Sequence, residues 1–380
     1  MIKKKALCIA SMASNLDNFN RNNVSILQRL GYDVTLAANF HTSEDTNSQE
    51  KINEFVSEMN SENVSTIQID FSRQIGNIAG QIKSYKQVRQ LLSQQFDIVH
   101  CHSPICSVIT RLCARKYRSI NTKTVYTAHG FHFFDGAPLK NWLLFYPVEK
   151  WLSRYTDVLI TINKEDFHRA NTRFKAGTTL YIPGVGVDTK KYSNCAIDVQ
   201  SKRKELGIDP DDYVIISVGE LNNNKNHQEV LRAISRINDD KVKYLIVGKG
   251  DLDVQLRDLA KDLGISHRVI ITGYRKDIGE LLSISNCFAF PSKREGLGLA
   301  AIEGLSAGLP VIGHDVGGIR DFVINGKTGW LCKSNQATEY KELIEKTMHY
   351  RWDRQTIKAT ACKFDQNITN QIMTNLYKSM

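Results

Sequence analysis

The sequence contains no apolar stretch of the roughly 18–20 residues that a bilayer-spanning helix requires, so it offers no membrane span. Its eight cysteines, at 8, 101, 106, 113, 195, 287, 332 and 362, include no Cys-x-x-Cys pair. That removes the usual zinc and disulfide frameworks. Cys8 in ALCIA and Cys287 in NCFAF sit in apolar runs, where a free thiol behaves as a small hydrophobe. No nucleic-acid motif is present, and basic residues form only short runs such as those at 3–5 and 190–191, which argues against a nucleic-acid partner. No short-period repeat and no low-complexity segment interrupts the chain.

What is present fits an ordinary globular protein. The chain has 380 residues, 42% hydrophobic and 24% charged, enough for two domains of roughly 150–200 residues each. Fifty Lys plus Arg against forty Asp plus Glu leave a formal charge of +10. That balance favours acidic partners, here phosphorylated small molecules or an anionic membrane face. The opening MIKKKALCIASMAS places basic residues before an apolar run, but the run is only about seven residues long and leads directly into a helical pattern. It reads as a first core strand, and the expected location is cytoplasmic.

Short apolar runs alternate with helix-period segments from end to end. KALCIAS, DVTLAAN, VSTIQID, DIVHCHS, KTVYTAHG, DVLITIN and LYIPGV occupy the first half. Segments at Asn18–Leu30, Gln74–Leu92 and Ile105–Tyr117 lie between them with helical spacing. After a polar, aperiodic break at 187–196 (VDTKKYSNCA), the alternation restarts with YVIISVG, KYLIVGKG, RVIITGY, CFAFPS, LPVIGHD and GWLCKS. Runs buried on both faces and separated by helices indicate parallel sheets covered on both sides. The expected fold is therefore α/β: two Rossmann-like, doubly wound domains, 1–188 and 189–364, facing across a cleft, with a helix at 365–380 returning to the first. Ligands of such sheets bind beyond the carboxyl ends of the strands.

The segment most informative for chemistry is PSKREGLGLAAIEG, 291–304. It passes from a strand through a loop into a helix. Gly296 and Gly298 permit close backbone approach to a ligand, and the N–H groups opening the helix suit a phosphate. Glu303, a turn into the helix, is placed to accept bonds from a ribose diol, and Glu295 lies nearer the sugar end. The plainer alternative is a surface helix that happens to carry two glutamates; the strand-loop-helix setting weighs against it.

This segment resembles the Glu-x7-Glu signature of the family four retaining glycosyltransferases, which have the GT-B fold. The resemblance implies that Glu295 contacts the donor sugar, that Glu303 binds the ribose, and that backbone amides around Gly296, Leu297, Gly298 and Leu299 hold the diphosphate. It covers nearly the whole chain. ISVGELNNNKNHQEVLRAI, 216–234, resembles the family's first strand-loop-helix of the donor domain, which implies a donor role for Gly219 and a diphosphate-binding role for Lys225. The sequence departs from the pattern at 220, where Glu220 stands in place of an arginine. Phosphate binding then rests on Lys225, the helix amides and a further base, for which Arg294 is a candidate. TGYRKDI, 272–278, is similar to the family's loop beside the nucleotide base, which puts Gly273, Tyr274 and Arg275 there. VGGIRD, 316–321, matches a Gly-Gly turn under the cleft that is usually structural.

In the first half the resemblance gives His129, at the end of TVYTAHG, a role at the donor sugar, with His132 a weaker candidate. His100 and His102 are read as facing opposite sides of a strand, which would keep them from sharing a metal ion, with His102 toward the acceptor. The family's first loop is often glycine-rich. Here 11–23, SMASNLDNFNRNN, has no glycine, and Asn15, Asn18 and Asn20 are the candidates for acceptor contacts in its place. Asp251 and Asp253 spell an Asp-x-Asp, but at a helix start favoured by the dipole. No metal site and no cofactor are expected, and Lys225 with the helix amides would neutralise the diphosphate.

The segment 137–155, APLKNWLLFYPVEKWLSRY, mixes aromatic and basic residues as a membrane interface does; a buried helix followed by a strand is the alternative. The expected partners are a nucleotide-sugar donor, preferably UDP-linked, a saccharide or lipid-linked saccharide acceptor, and the anionic inner membrane face. The expected activity is retaining, hexosyl-type transfer in cell-surface polysaccharide synthesis. The rivals are a nucleotide-sugar 2-epimerase of the same architecture, a non-catalytic sugar-nucleotide binder, and a nicotinamide oxidoreductase. The last is disfavoured because VGKGDLDVQ lacks a full Gly-x-Gly-x-x-Gly.

Overall fold

The computed structural model describes residues 3–41, 44, 45, 47–72 and 76–380. The chain forms two compact units, one comprising residues up to Val185 together with Asn367–Met380, the other Gly186–Gln366. In the first, β1 (Lys5–Met12), α1 (Ala13–Arg29), β2 (Asp33–Asn39), α2 (Gln49–Ser61), β3 (Ser65–Gln68), α3 (Ile78–Leu92) and β4 (Ile98–His102) follow one another. Then come α4 (Pro104–Ala114), β5 (Lys123–Ala128), α5 (Leu139–Ser153), β6 (Val158–Thr161), α6 (Lys164–Arg173) and β7 (Thr178–Tyr181). The second unit has α7 (Thr189–Ser193), α8 (Val199–Glu205), β8 (Tyr213–Val218), α9 (His227–Ile234), β9 (Val242–Val247), α10 (Asp253–Asp262) and β10 (Val269–Ile271). It continues with α11 (Ile278–Ser283), β11 (Cys287–Phe290), α12 (Leu299–Ser306), β12 (Val311–His314), β13 (Gly329–Cys332), α13 (Ala337–His349) and α14 (Arg354–Ala361). The final helix is α15 (Gln366–Lys378).

Every apolar run picked out in the sequence becomes a strand, and every sheet pairing is parallel. The reason is burial on both faces. From Ala6 to Met12 every residue of β1 is buried, as is all of β4. The seven-stranded sheet runs β3-β2-β1-β4-β5-β6-β7 and the six-stranded one β10-β9-β8-β11-β12-β13. Strand order reverses between β1 and β4 in the first unit and between β8 and β11 in the second. In open α/β sheets those reversals mark where loops part and a crevice opens beyond the carboxyl ends.

Three expectations need correction. Residues 11–23 are not a loop: β1 runs to Met12 and α1 begins at Ala13. Asn20 is fully buried, its amide donating to the Asn15 carbonyl at 3.2 Å. His100 and His102 share one face of β4, as residues two apart in a strand must, with ring centroids 4.2 Å apart. The break at 187–196 contains a short helix, α7, capped by Asp188 accepting from the Lys191 N–H at 3.1 Å. The expected start of a helix at Gln74 lies outside the described residues, and α3 is seen from Ile78.

Candidate functional site

At the reversal point of the second sheet, two loops leave adjacent strands and lock together. Asn222 Oδ1 accepts from the backbone N–H of Asn224 and of Lys225, both at 3.0 Å, which folds the loop after β8 back on itself. Asn224 then bridges to the loop after β11. Its carbonyl accepts from Lys293 N at 2.8 Å, and its side chain both accepts from Arg294 N at 3.1 Å and donates to Arg294 O at 3.0 Å. This brings Lys225 over the Phe290 ring, 5.0 Å from its centroid, with Nζ donating to Glu295 Oε2 at 2.8 Å. The lysine stem also lies 3.4 Å from where a Cβ on Gly219 would stand. Gly219, Lys225 and Glu295 are therefore brought together.

The Glu295 loop has a backbone that only glycine fits at its junction with α12. Gly298 has φ of 104°, and a Cβ there would lie 2.5 Å from Phe290, so the chain turns into α12 only with glycine at that position. Beneath the loop, a Cβ on Gly317 would meet Glu295 O at 2.5 Å and one on Gly318 would overlap Gly296 O. The Gly-Gly turn is thus the floor on which Glu295 and Gly296 rest. Leu297 is buried and offers only its backbone. The helix α12, starting at Leu299, has no side-chain cap at Gly298.

Glu303 lies on the second turn of α12. It accepts a hydrogen bond from the Tyr192 hydroxyl of α7, and burial raises its pKa above the ordinary carboxylate value. The other expected donor residues are less concentrated. Gly273 accepts from Gly248 N at 2.9 Å, and Tyr274 is exposed. The Arg275 guanidinium is bound to Asp277, and to Glu205 at 2.8 Å, in an ion cluster with Lys202. Glu220 is exposed and accepts from Asn222 at 2.9 Å. Asp253 accepts from Arg257 at 2.7 Å as a helix-start residue.

At the reversal point of the first sheet, β4 ends at His102 and Ser103 leads into α4. Ser103 has φ of 68°, uncommon without glycine, and its hydroxyl accepts from Asn15 Nδ2 at 3.0 Å. His102 Nδ1 is 3.1 Å from His129 Nε2, while Phe19 packs on the His129 ring at 5.2 Å. Behind them His100 is held between Tyr377 Oη and Thr127 Oγ1, each at 2.7 Å. Burial keeps the three imidazoles neutral. The pKa of His100 falls to about 3, that of His129 to about 4, and that of His102 well below its ordinary value. His102 Nε2 is buried without a hydrogen-bond partner. A chamber of about 240 Å³ opens beside this group, lined by Ser11, Met12, Asn15, Ser103, Ile105 and His132 among others. The His132 ring packs against Phe145 at 4.6 Å.

Tyr192, Asn224, Ser103 and Tyr377 also take part, though no sequence motif singles them out. The LNNNKN run was visible as a turn-forming signal, whereas the other three carry no local signal because each is defined by its contacts to distant residues.

Two family models match the chain: Glycosyltransferase Family 4 over residues 21–189 and Glycosyl transferases group 1 over residues 198–364. The chain is similar to the putative glycosyltransferase EpsD of Bacillus subtilis, 38% identical over 304 residues, spanning 78% of this chain and 80% of EpsD. It is also similar to the UDP-Gal:alpha-D-GlcNAc-diphosphoundecaprenol alpha-1,3-galactosyltransferase of Escherichia coli, 29% identical over 68% of each. In three dimensions it resembles Anabaena Alr3699/HepE, solved with UDP and glucose, at a TM-score of 0.76 and 18% identity over 99% of this chain and 100% of that one. Both units are thus matched in order and the GT-B architecture agrees: the chain belongs to the family 4, group 1 glycosyltransferases.

Proposed function

We propose that this glycosyltransferase moves a hexosyl group, with retention and without a metal, from a UDP-sugar to a saccharide carried on a polyprenyl diphosphate. The observation that carries the reading is the Lys225–Glu295 pair, 2.8 Å apart at the reversal point of the second sheet and next to the uncapped start of α12. A diphosphate there meets one ammonium group and several backbone N–H donors, which lower the cost of the charge that develops on the leaving group. The choice of UDP and of a lipid-linked acceptor draws support from the names of the Escherichia coli relative and of the HepE complex.

In this mechanism residues 189–364 hold the donor, and 1–188 with 365–380 hold the acceptor. Backbone groups at Gly273, Tyr274 and Arg275 border the base. Glu303, oriented by Tyr192, accepts from the ribose diol with its remaining lone pairs. Glu295 and the neutral His129 orient the sugar. As the bond from the anomeric carbon to the phosphate oxygen breaks, the acceptor hydroxyl attacks from the same face and gives its proton to the departing oxygen. Asn15, His102 and His132 border the acceptor.

Membrane contact belongs to the same proposal. Leu139, Leu143, Leu144, Val148 and Trp151 of α5 are exposed, with Lys140 and Lys150 on the same helix, and no described helix is long and apolar enough to cross a bilayer. The helix therefore suits contact with the anionic cytoplasmic face of the membrane. A thermal-shift screen of nucleotide sugars tests the donor half of the reading, since a ligand bound to the folded state raises the midpoint. UDP-sugars should stabilise the wild type and not Lys225→Ala. Full turnover by Glu295→Ala or His129→Ala at saturating donor would overturn the mechanism.

A further inference from the structure

The helices α3, α4 and α5 bound an apolar groove of about 250 Å³ that the reaction chemistry does not use. Its walls include Pro104, Ile105, Val108 and Ile109 of α4 and Leu144 and Val148 of α5. Such a surface is costly to leave wet. It is not an isolated dent: Pro104, Ile105 and Phe145 line both this groove and the chamber beside Ser11, Asn15 and Ser103. One continuous site therefore has a few hydrogen-bonding groups at one end, at the reversal point of the first sheet, and an apolar arm leading away from it.

The flanks have the charge and polarity of a lipid-facing surface. Ile78 and Ile82 of α3 are 70% and 52% exposed, and Leu139 and Leu143 of α5 are 72% and 71% exposed. Across the three helices Glu149 is the single carboxylate, and it is buried against Arg111 at 2.7 Å. Lys86, Arg89, Lys140 and Lys150 are exposed on the same helices, while Lys83 pairs with Asp70 from outside them. An amphiphile with an anionic head matches the apolar arm together with these basic flanks, whereas a free sugar has no use for the arm.

We infer that this groove holds the proximal hydrocarbon of a prenyl diphosphate-linked acceptor, with the saccharide in the adjoining chamber. The inference rests on the acceptor class proposed above and adds the subsite that would read it. Chain length, not the sugar alone, then sets acceptor affinity.

The test measures binding of farnesyl diphosphate and of isopentenyl diphosphate, which share a head and differ in chain length, to the full chain by equilibrium dialysis. The wild type should prefer farnesyl diphosphate by about tenfold or more, from the added apolar burial. Leu144→Gln combined with Val148→Gln should abolish that preference. Both positions are partly exposed, at 54% and 38%, and an unchanged circular dichroism spectrum would establish that the variant is folded. Leu143→Gln, on the same helix but outside the groove, should keep the preference. Equal binding of the two diphosphates by the wild type, or a preference that survives in the double variant, would overturn the inference. So would a double variant that loses only flotation on phosphatidylglycerol vesicles, which would assign these residues to the membrane plane. If the farnesyl preference is present but no sugar reaches any prenyl diphosphate-linked saccharide, the proposed reaction fails while the groove stands.

Discussion

At the reversal point of its sheet the second unit presents Lys225, Glu295 and the uncapped start of α12, held by glycines that admit no side chain. At the same point the first unit presents Asn15, Ser103 and imidazoles kept neutral by burial, beside an apolar groove. The same strand order around the reversal point carries different electrostatics in the two units. A charged, backbone-lined crevice suits a diphosphate, whose recognition depends on fixed donors and charge. An uncharged crevice with an apolar arm suits a group recognised by shape and burial. The doubly wound sheet supplies the place in each half, and the side chains on four or five loop and helix-start positions supply the chemistry.

The sharpest way to break this contrast is at the charged crevice. Lys225→Ala is expected to lower turnover by about 10²–10³-fold, the range for losing one transition-state donor, while stability falls by less than about 1 kcal/mol. A rate assay beside a denaturant titration separates the two. An equal loss of stability would make the pair structural. Gly318→Ala should cost about 1–3 kcal/mol, because its methyl group overlaps Gly296 O and the loop above must shift. It should also weaken stabilisation by UDP, read as a smaller thermal shift.

The neutral histidines sharpen the comparison through pH. Unfolded, each binds a proton near pH 6.5, whereas folding depresses His100 to about 3 and His129 to about 4. Between those values the unfolded chain holds more protons, so stability falls as pH drops, by up to about 1.4 kcal/mol per pH unit for each histidine. His227 of the second unit is lowered to about 4 as well, so both halves are acid-sensitive, the first more steeply. His100→Gln should flatten the profile of unfolding free energy between pH 6 and pH 4; an unchanged slope would place the acid sensitivity elsewhere. The smallest effect is expected of Tyr192→Phe, which removes one hydrogen bond to Glu303. Donor affinity should weaken by a few-fold, about 1 kcal/mol, with no change in kcat, measurable by calorimetry.

The strands were legible because a buried parallel strand must be apolar along its whole length, and KALCIAS or YVIISVG has no other economical conformation in water. Glu295, Gly298 and Glu303 were legible together because they fall within one short strand-loop-helix segment. Two local expectations fail: the glycine-free run after β1 forms a helix that carries Asn15 and Asn20, and His100 and His102 share one face of β4.

The order of strands and helices, and the glutamate-bearing segment between a strand and a helix, follow from the sequence alone, since both depend on neighbours within a few residues. Tertiary structure decided which groups meet. Lys225 reaches Glu295 across 70 residues, and His100 reaches Tyr377 across 277. It also decided that α5 turns Leu139 and Leu143 outward and Glu149 inward. A helical pattern specifies the angular spacing of its apolar residues, but which side meets protein depends on what the rest of the chain packs against it.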